Sequence, residues 1–63
     1  MNSTPTILIV EDERIIALDL RRRVEKFGYE VCAVVSTADE AVQAAQECSP
    51  DIVLMDIMLS GER

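Results

Sequence analysis

The stretch Ile7–Glu13, "ILIVEDE", determines how the rest of the chain can be arranged. Four aliphatic residues are followed at once by three carboxylates. A short, continuous apolar run of this kind predicts a strand that is covered on both faces. Neighbouring like charges repel each other, so the three acids either point apart or share a counter-charge.

The chain downstream changes from strand to helix periodicity. A helix is predicted from Arg14 to Phe27, and Gly28 ends it because glycine adopts positive φ at no cost. Ile15 and Leu18 lie off the apolar face of this helix. The residues that share one arc about 100° wide are expected to face the sheet: Ile16, Ala17, Leu20, Val24 and Phe27.

Two further strands and a second helix follow. Glu30–Val35 is a second apolar strand, and Ile52–Met55 is a third. Between them, Thr37 and Glu40 have the spacing of a capping box at a helix start, and Pro50 ends that helix. Its apolar positions form one narrow stripe of mostly small side chains: Ala38, Ala41, Val42, Ala45 and Cys48.

The order strand, helix, strand, helix, strand predicts an α/β fold. Apolar strands joined by helices form a doubly wound parallel sheet with right-handed crossovers. Ligands of such sheets bind beyond the carboxyl ends of the strands. Glu11 and Asp12 follow the first strand and Asp56 follows the third, so these carboxylates converge if the two strands are neighbours. Converging carboxylates suit a hard cation such as Mg²⁺.

Simpler readings of these acids also exist. Acidic residues at a helix start stabilise the helix dipole, which would account for Glu11, Asp12 and Glu13. A single aspartate after a strand, such as Asp56, is often a turn former or a helix cap. The interpretation as a metal site depends on two observations together: acids follow both the first and the third strand, and neither apolar run contains an acid.

Composition narrows the function classes. The net charge is −6, which argues against nucleic acid and anionic membranes as partners, and the absence of histidine excludes catalysis or metal binding by that residue. Cys32 and Cys48 match neither a disulfide framework nor a zinc signature, so we expect them to be small core hydrophobes. The longest apolar run, Val31–Val35, is too short for a membrane span. We expect a cytoplasmic chain.

Four segments together resemble the first half of a response-regulator receiver domain from two-component phosphorelays. They are "ILIVEDE", the "FGY" of residues 27–29, the "SPDIVLMDIML" of residues 49–59, and Gly61. The resemblance implies a flavodoxin-like fold with strand order 2-1-3. It also implies that Asp56 is the phosphoacceptor and catalytic carboxylate. Mg²⁺ would be held by Asp12 directly, by Glu11 largely through water, by Asp56, and by the backbone carbonyl of Met58.

The resemblance implies a signalling module that is not an enzyme. A sensor histidine kinase or phosphotransfer protein would present a phosphohistidine, and Asp56 would become an aspartyl phosphate. Residues 1–63 correspond to the N-terminal part of the family's fold, through the third strand and the start of the next loop. We therefore expect Ile52–Met55 to be an open sheet edge that can self-associate. Ile15 and Leu18 would contact a later helix, and Ser60 replaces a common proline.

Three alternatives differ in class. The module could belong to a longer hybrid sensor kinase or output enzyme, which residues after Arg63 would decide. A flavodoxin-like cofactor binder needs a phosphate cradle after the first strand, where this chain has Glu11, Asp12 and Glu13. An aspartate-nucleophile phosphatase needs a second acid two residues beyond Asp56, where this chain has Met58.

Overall fold

The computed structural model describes residues 4–55, which form a parallel sheet with a helix on each face. The sheet order is β2-β1-β3, and both pairings of β1 are parallel. The predicted fold class and strand order are therefore confirmed. The elements are β1 Thr6–Val10, α1 Arg14–Lys26, β2 Glu30–Val35, α2 Ala38–Cys48 and β3 Ile52–Met55.

The central strand β1 carries most of the core. Its alternating side chains point to opposite faces of the sheet. Ile7 and Ile9 form one buried cluster with Val24 of α1. Leu8 and Val10 form a second buried cluster with Ala41 of α2.

Within residues 4–55, β1 is buried on both faces of the sheet, whereas β2 and β3 are partly exposed. In β3, Ile52 is 40% exposed, Val53 45% and Met55 50%. Leu54 is the residue of β3 that packs against the cluster on the α1 side. This exposure agrees with the prediction that β3 is an open sheet edge, because α1 and α2 both pack mainly over β1 and β2.

The buried face of α1 is narrower than the helical wheel predicted. Ala17 and Val24 are buried and Leu20 is partly buried, as expected. Ile16, however, is 46% exposed and Phe27 is 80% exposed. Phe27 follows the last helical residue as the C-cap, with φ −83° and ψ 1°, so the wheel does not give its direction. The residues off the arc are exposed, as predicted: Ile15 and Leu18.

The predicted helix ends are present, with one change in the capping contacts. Gly28 has φ 97°, the positive value expected of a helix-ending glycine. At the start of α2, the Glu40 N–H donates to Thr37 Oγ1 at 3.2 Å. The Glu40 carboxylate accepts from the Ser36 N–H at 3.0 Å, one residue earlier than a regular capping box requires.

Cys32 and Cys48 form a disulfide, which corrects the prediction that they are unlinked core residues. Their Cα atoms are 6.4 Å apart, although the two residues are separated by 16 positions in sequence. The cysteines meet because α2 packs back against β2. Cys32 does contact the cluster of Leu8, Val10 and Ala41, so the packing part of the prediction holds.

The cap of α2 should make stability depend on pH through Glu40. The Ser36 N–H that donates to its carboxylate holds the Glu40 pKa below the ordinary value of 4.5. The stabilisation is therefore complete above the unfolded pKa and is lost as pH falls through the lower folded pKa. We expect Glu40→Gln to have a lower free energy of unfolding than wild type at pH 7. In acid, the difference in free energy of unfolding between the two proteins should become smaller.

Urea denaturation at a series of pH values measures this difference. Glu47→Gln, near the other end of α2, is the matched control and should follow the wild-type profile. An offset between wild type and Glu40→Gln that stays constant from pH 7 into acid would contradict this account of the cap.

Candidate functional site

All three strands end together at one edge of the sheet. Val10 is the register partner of Val35 on one side and of Met55 on the other. The Glu11 N–H then donates to the Val35 carbonyl at 2.9 Å, which extends the β1–β2 pairing by one residue. The position of Glu11 at the carboxyl edge is therefore fixed by backbone hydrogen bonding.

The three consecutive acids differ in their exposure to solvent. Glu11 is only 3% exposed, whereas Asp12 and Glu13 are exposed. Glu11 Oε2 accepts from the Glu13 N–H at 3.2 Å. Glu13 is the N-cap of α1, and its own side chain makes no capping bond.

The sequence placed Glu11 among the acids that favour a helix start, but it did not predict this hydrogen bond. The only sequence signal for this hydrogen bond is that Glu11 lies two positions before the N-cap, Glu13. The simpler reading, in which the acids stabilise the start of α1, therefore holds for Glu11 through a hydrogen bond. It does not involve acids in the first turn, which contains none.

Glu11 lies between two clefts that open at this edge. One cleft of about 380 Å³ lies between the start of α1 and the end of β2, and its lining includes Glu11, Asp12 and Ser36. A second cleft of about 320 Å³ lies toward β3 and is lined by Glu11 with Leu20, Leu54 and Met55. The second cleft is almost entirely apolar apart from Glu11. The exposed Asp12 is thus open to solvent at the edge of the first cleft.

The opposite edge of the sheet contains a different acid with a structural role. Asp51 Oδ2 accepts from the Thr6 N–H at 2.8 Å, and the Asp51 N–H donates to the Thr6 carbonyl at 2.9 Å. These bonds tie the start of β3 to the start of β1. Asp51 is therefore separated from Glu11 and Asp12 by the full length of β1.

The remaining predicted site residues, Asp56 and Met58, lie outside the described residues. Residues 4–55 contain no group of three or more acidic or cysteine side chains that could hold a metal ion. The described part of the candidate site is therefore the pair Glu11 and Asp12, which we call the acidic pair. Their hard oxygen donors fit the ligand preference of Mg²⁺.

The parallel sheet and the acidic pair define a doubly wound α/β protein with a candidate cation site at the carboxyl ends of its strands. Comparison with known families agrees with this class. The family model described as "Response regulator receiver domain" matches residues 7–63. The chain belongs to the response-regulator receiver family.

Relatives of known sequence are longer than this chain. The phyllosphere-induced regulator PhyR of Methylorubrum extorquens is 47% identical over 55 residues, which cover 86% of this chain and 21% of PhyR. The chemotaxis protein CheY of Thermotoga maritima is 40% identical over 53 residues, covering 84% of this chain and 44% of CheY. The chain therefore spans about a fifth to less than half of these relatives.

Solved structures share the fold closely. The anti-anti-sigma factor PhyR from Bartonella quintana superposes with a TM-score of 0.89 at 32% identity, covering all of this chain and 26% of that one. The receiver domain of a modulated diguanylate cyclase from Desulfovibrio desulfuricans gives 0.85 at 48% identity, covering 92% of this chain and 46% of that one. In the region from residue 4 to residue 55, no helix is long and apolar enough to cross a membrane.

Proposed function

We propose that this chain is a phosphoacceptor module in which Asp56 takes a phosphoryl group from a phosphohistidine. The donor is a sensor histidine kinase or a phosphotransfer protein, and Mg²⁺ is the cofactor. The observation that carries the proposal is the β1–β3 register. Met55 pairs with Val10, and Asp56 follows Met55 in sequence as Glu11 follows Val10.

The two members of the acidic pair have different roles in this proposal. Asp12 is exposed, so its carboxylate can coordinate a cation directly. Glu11 is buried, and one of its oxygens already accepts from the Glu13 N–H, so it acts through a water molecule. Asp56 and the carbonyl of Met58 complete the ligand set. When bound, Mg²⁺ neutralises charge on the phosphoryl oxygens.

Asp56 acts as the nucleophile. One of its carboxylate oxygens forms a bond to phosphorus in line with the departing imidazole. The bond between phosphorus and the histidine nitrogen breaks, and the imidazole keeps the electron pair. The product is an aspartyl phosphate, formed once for each signalling event, so the module passes on a covalent mark and is not itself an enzyme.

A second candidate architecture is a receiver within a longer hybrid sensor kinase or output enzyme. The observation that favours it is the likeness to a receiver domain from a modulated diguanylate cyclase, at 48% identity. The proposed site chemistry is the same in both architectures. Both would act in the cytoplasm, where histidine kinases have access to ATP. A flavodoxin-like cofactor module does not fit the site, because carboxylates occupy the turn where a phosphate cradle would be needed.

Mg²⁺ affinity should distinguish the two acidic residues. We expect Asp12→Ala to weaken Mg²⁺ binding by about 100-fold or more, because a direct ligand is lost. Glu11→Gln changes a group that acts through water, and we expect a loss of about tenfold. Isothermal titration measures both values. Asp51→Asn, at the opposite edge, is the control and should bind like wild type. Equal Mg²⁺ affinity in wild type and Asp12→Ala would disprove the assignment.

Substitution of the nucleophile should abolish phosphorylation. We expect Asp56→Asn to take up no phosphoryl group from acetyl phosphate and Mg²⁺, because an amide oxygen cannot form the acyl phosphate. Intact-mass spectrometry detects the added phosphate. Asp51→Asn is the control, since it alters the other end of β3 and should still be phosphorylated. Phosphate retained on Asp56→Asn would show that another residue is the acceptor.

We further propose that the open side of β3 pairs with a second copy of the chain. Within residues 4–55, β3 has a neighbouring strand on one side only, and three of its four side chains are exposed. Unpaired backbone groups and apolar side chains on an edge favour association.

A charge on β3 tests this association. We expect the wild-type chain to dimerise at micromolar concentrations in sedimentation velocity. Val53→Lys should be monomeric, because a lysine on an edge strand opposes strand addition. Val42→Lys is the control: Val42 is 59% exposed on α2, and its replacement should leave the dimer intact. A folded wild-type monomer at these concentrations would rule out the edge contact.

A further inference from the structure

We propose that Cys32 and Cys48 form a site of reversible thiol–disulfide exchange that fastens the last turn of α2 to β2. The two residues are linked in the structure, with Cα atoms 6.4 Å apart. Both residues are only partly buried, so neither is enclosed in the core. The proposal is independent of the phosphoacceptor chemistry, which uses neither cysteine.

The link joins an edge strand of the described sheet to the end of a helix. β2 is an edge strand of the described sheet, so β1 alone holds its backbone. Cys48 is the last residue of α2, and Ser49 then turns into the left-handed region with φ 45°. The disulfide therefore holds α2 at its C-terminal turn, where the last carbonyl groups of a helix have no intrahelical hydrogen-bond partner.

Apolar burial does little to hold α2 against the sheet. Ala41 is the one buried residue of this helix, and Val42 is 59% exposed. The remaining contacts with the buried cluster come from Ala44 and Ala45, which are only partly buried. Alanine side chains remove little apolar area from water. A covalent link therefore makes a large contribution to the docking of the last turn.

The chemistry is a two-step exchange with a low-molecular-weight disulfide such as oxidised glutathione. One cysteine thiolate attacks the glutathione disulfide and releases one glutathione thiolate, leaving a mixed disulfide. The second cysteine thiolate attacks the protein sulfur of that bond and releases the second glutathione. Two protein thiols are oxidised to one disulfide, and one glutathione disulfide is reduced to two thiols.

Intact-mass spectrometry on the full chain tests the exchange. We expect the reduced chain, treated with oxidised glutathione without denaturant, to lose the mass of two hydrogen atoms and to stop reacting with iodoacetamide. Dithiothreitol should restore both thiols. Cys32→Ser and Cys48→Ser should each stop at a stable mixed disulfide with glutathione, because the second attack is impossible. Stable glutathione adducts or cross-linked dimers in the wild-type chain would overturn the proposal.

Hydrogen exchange tests what the link does. We expect reduction of the wild-type chain to speed amide exchange in Ala44–Cys48 and to lower Tm by about 10 °C, while Leu8–Val10 keeps its protection. The doubly substituted Cys32→Ala, Cys48→Ala chain should behave like the reduced wild type under both redox conditions. Unchanged amide exchange in Ala44–Cys48 after reduction would show that the disulfide does not fasten the last turn of α2. An equal loss of protection in Leu8–Val10 would also contradict this role.

Discussion

The central strand β1 is buried on both faces because α1 covers one face and α2 covers the other. Its side chains from Ile7 to Val10 are between 0 and 2% exposed. Four such side chains contribute about 6–12 kcal/mol, which is comparable with the whole stability of a small domain. A shift of one residue in the β1 register would exchange the side chains of the two buried clusters, so the packing of both clusters depends on this register.

That register also determines which residues lie at the carboxyl end of the sheet. Because Val10 is paired on both sides, the strand cannot continue without bringing Glu11 to the carboxyl end of the sheet. Glu11 is held there by the Val35 carbonyl and by the Glu13 N–H. Its burial leaves Asp12 as the member of the acidic pair that faces solvent. The burial of β1 thus determines which of the two carboxylates is available to a cation.

Much of this arrangement could be predicted from sequence because it depends on local signals. A continuous apolar run indicates a buried strand, a glycine directly after an amphipathic run indicates a helix end, and a threonine three residues before a glutamate indicates a helix start. The parallel strand order follows from apolar strands joined by helices. The position of Asp56 directly after an apolar strand made it a candidate site residue, and similarity to a known family supplied its proposed role as phosphoacceptor.

Other features depend on tertiary geometry that sequence spacing does not contain. The spacing of Cys32 and Cys48 gave no indication of a disulfide, because their proximity arises only when α2 packs against β2. The exposure of Phe27 follows from the chain leaving the helical path at the C-cap. The different burial of Glu11 and Asp12 depends on the direction of each side chain at the strand end.

Paramagnetic broadening by Mn²⁺ is the most direct measurement of the central claim, that the residues following β1 and β3 share one cation site. Mn²⁺ prefers the same oxygen ligands as Mg²⁺ and broadens nearby amide resonances. The amides of Glu11, Asp12 and Asp56 should broaden first in a Mn²⁺ titration, while those of Thr6 and Asp51 should stay sharp. First broadening at Asp51, or among the acids of α2, would contradict it.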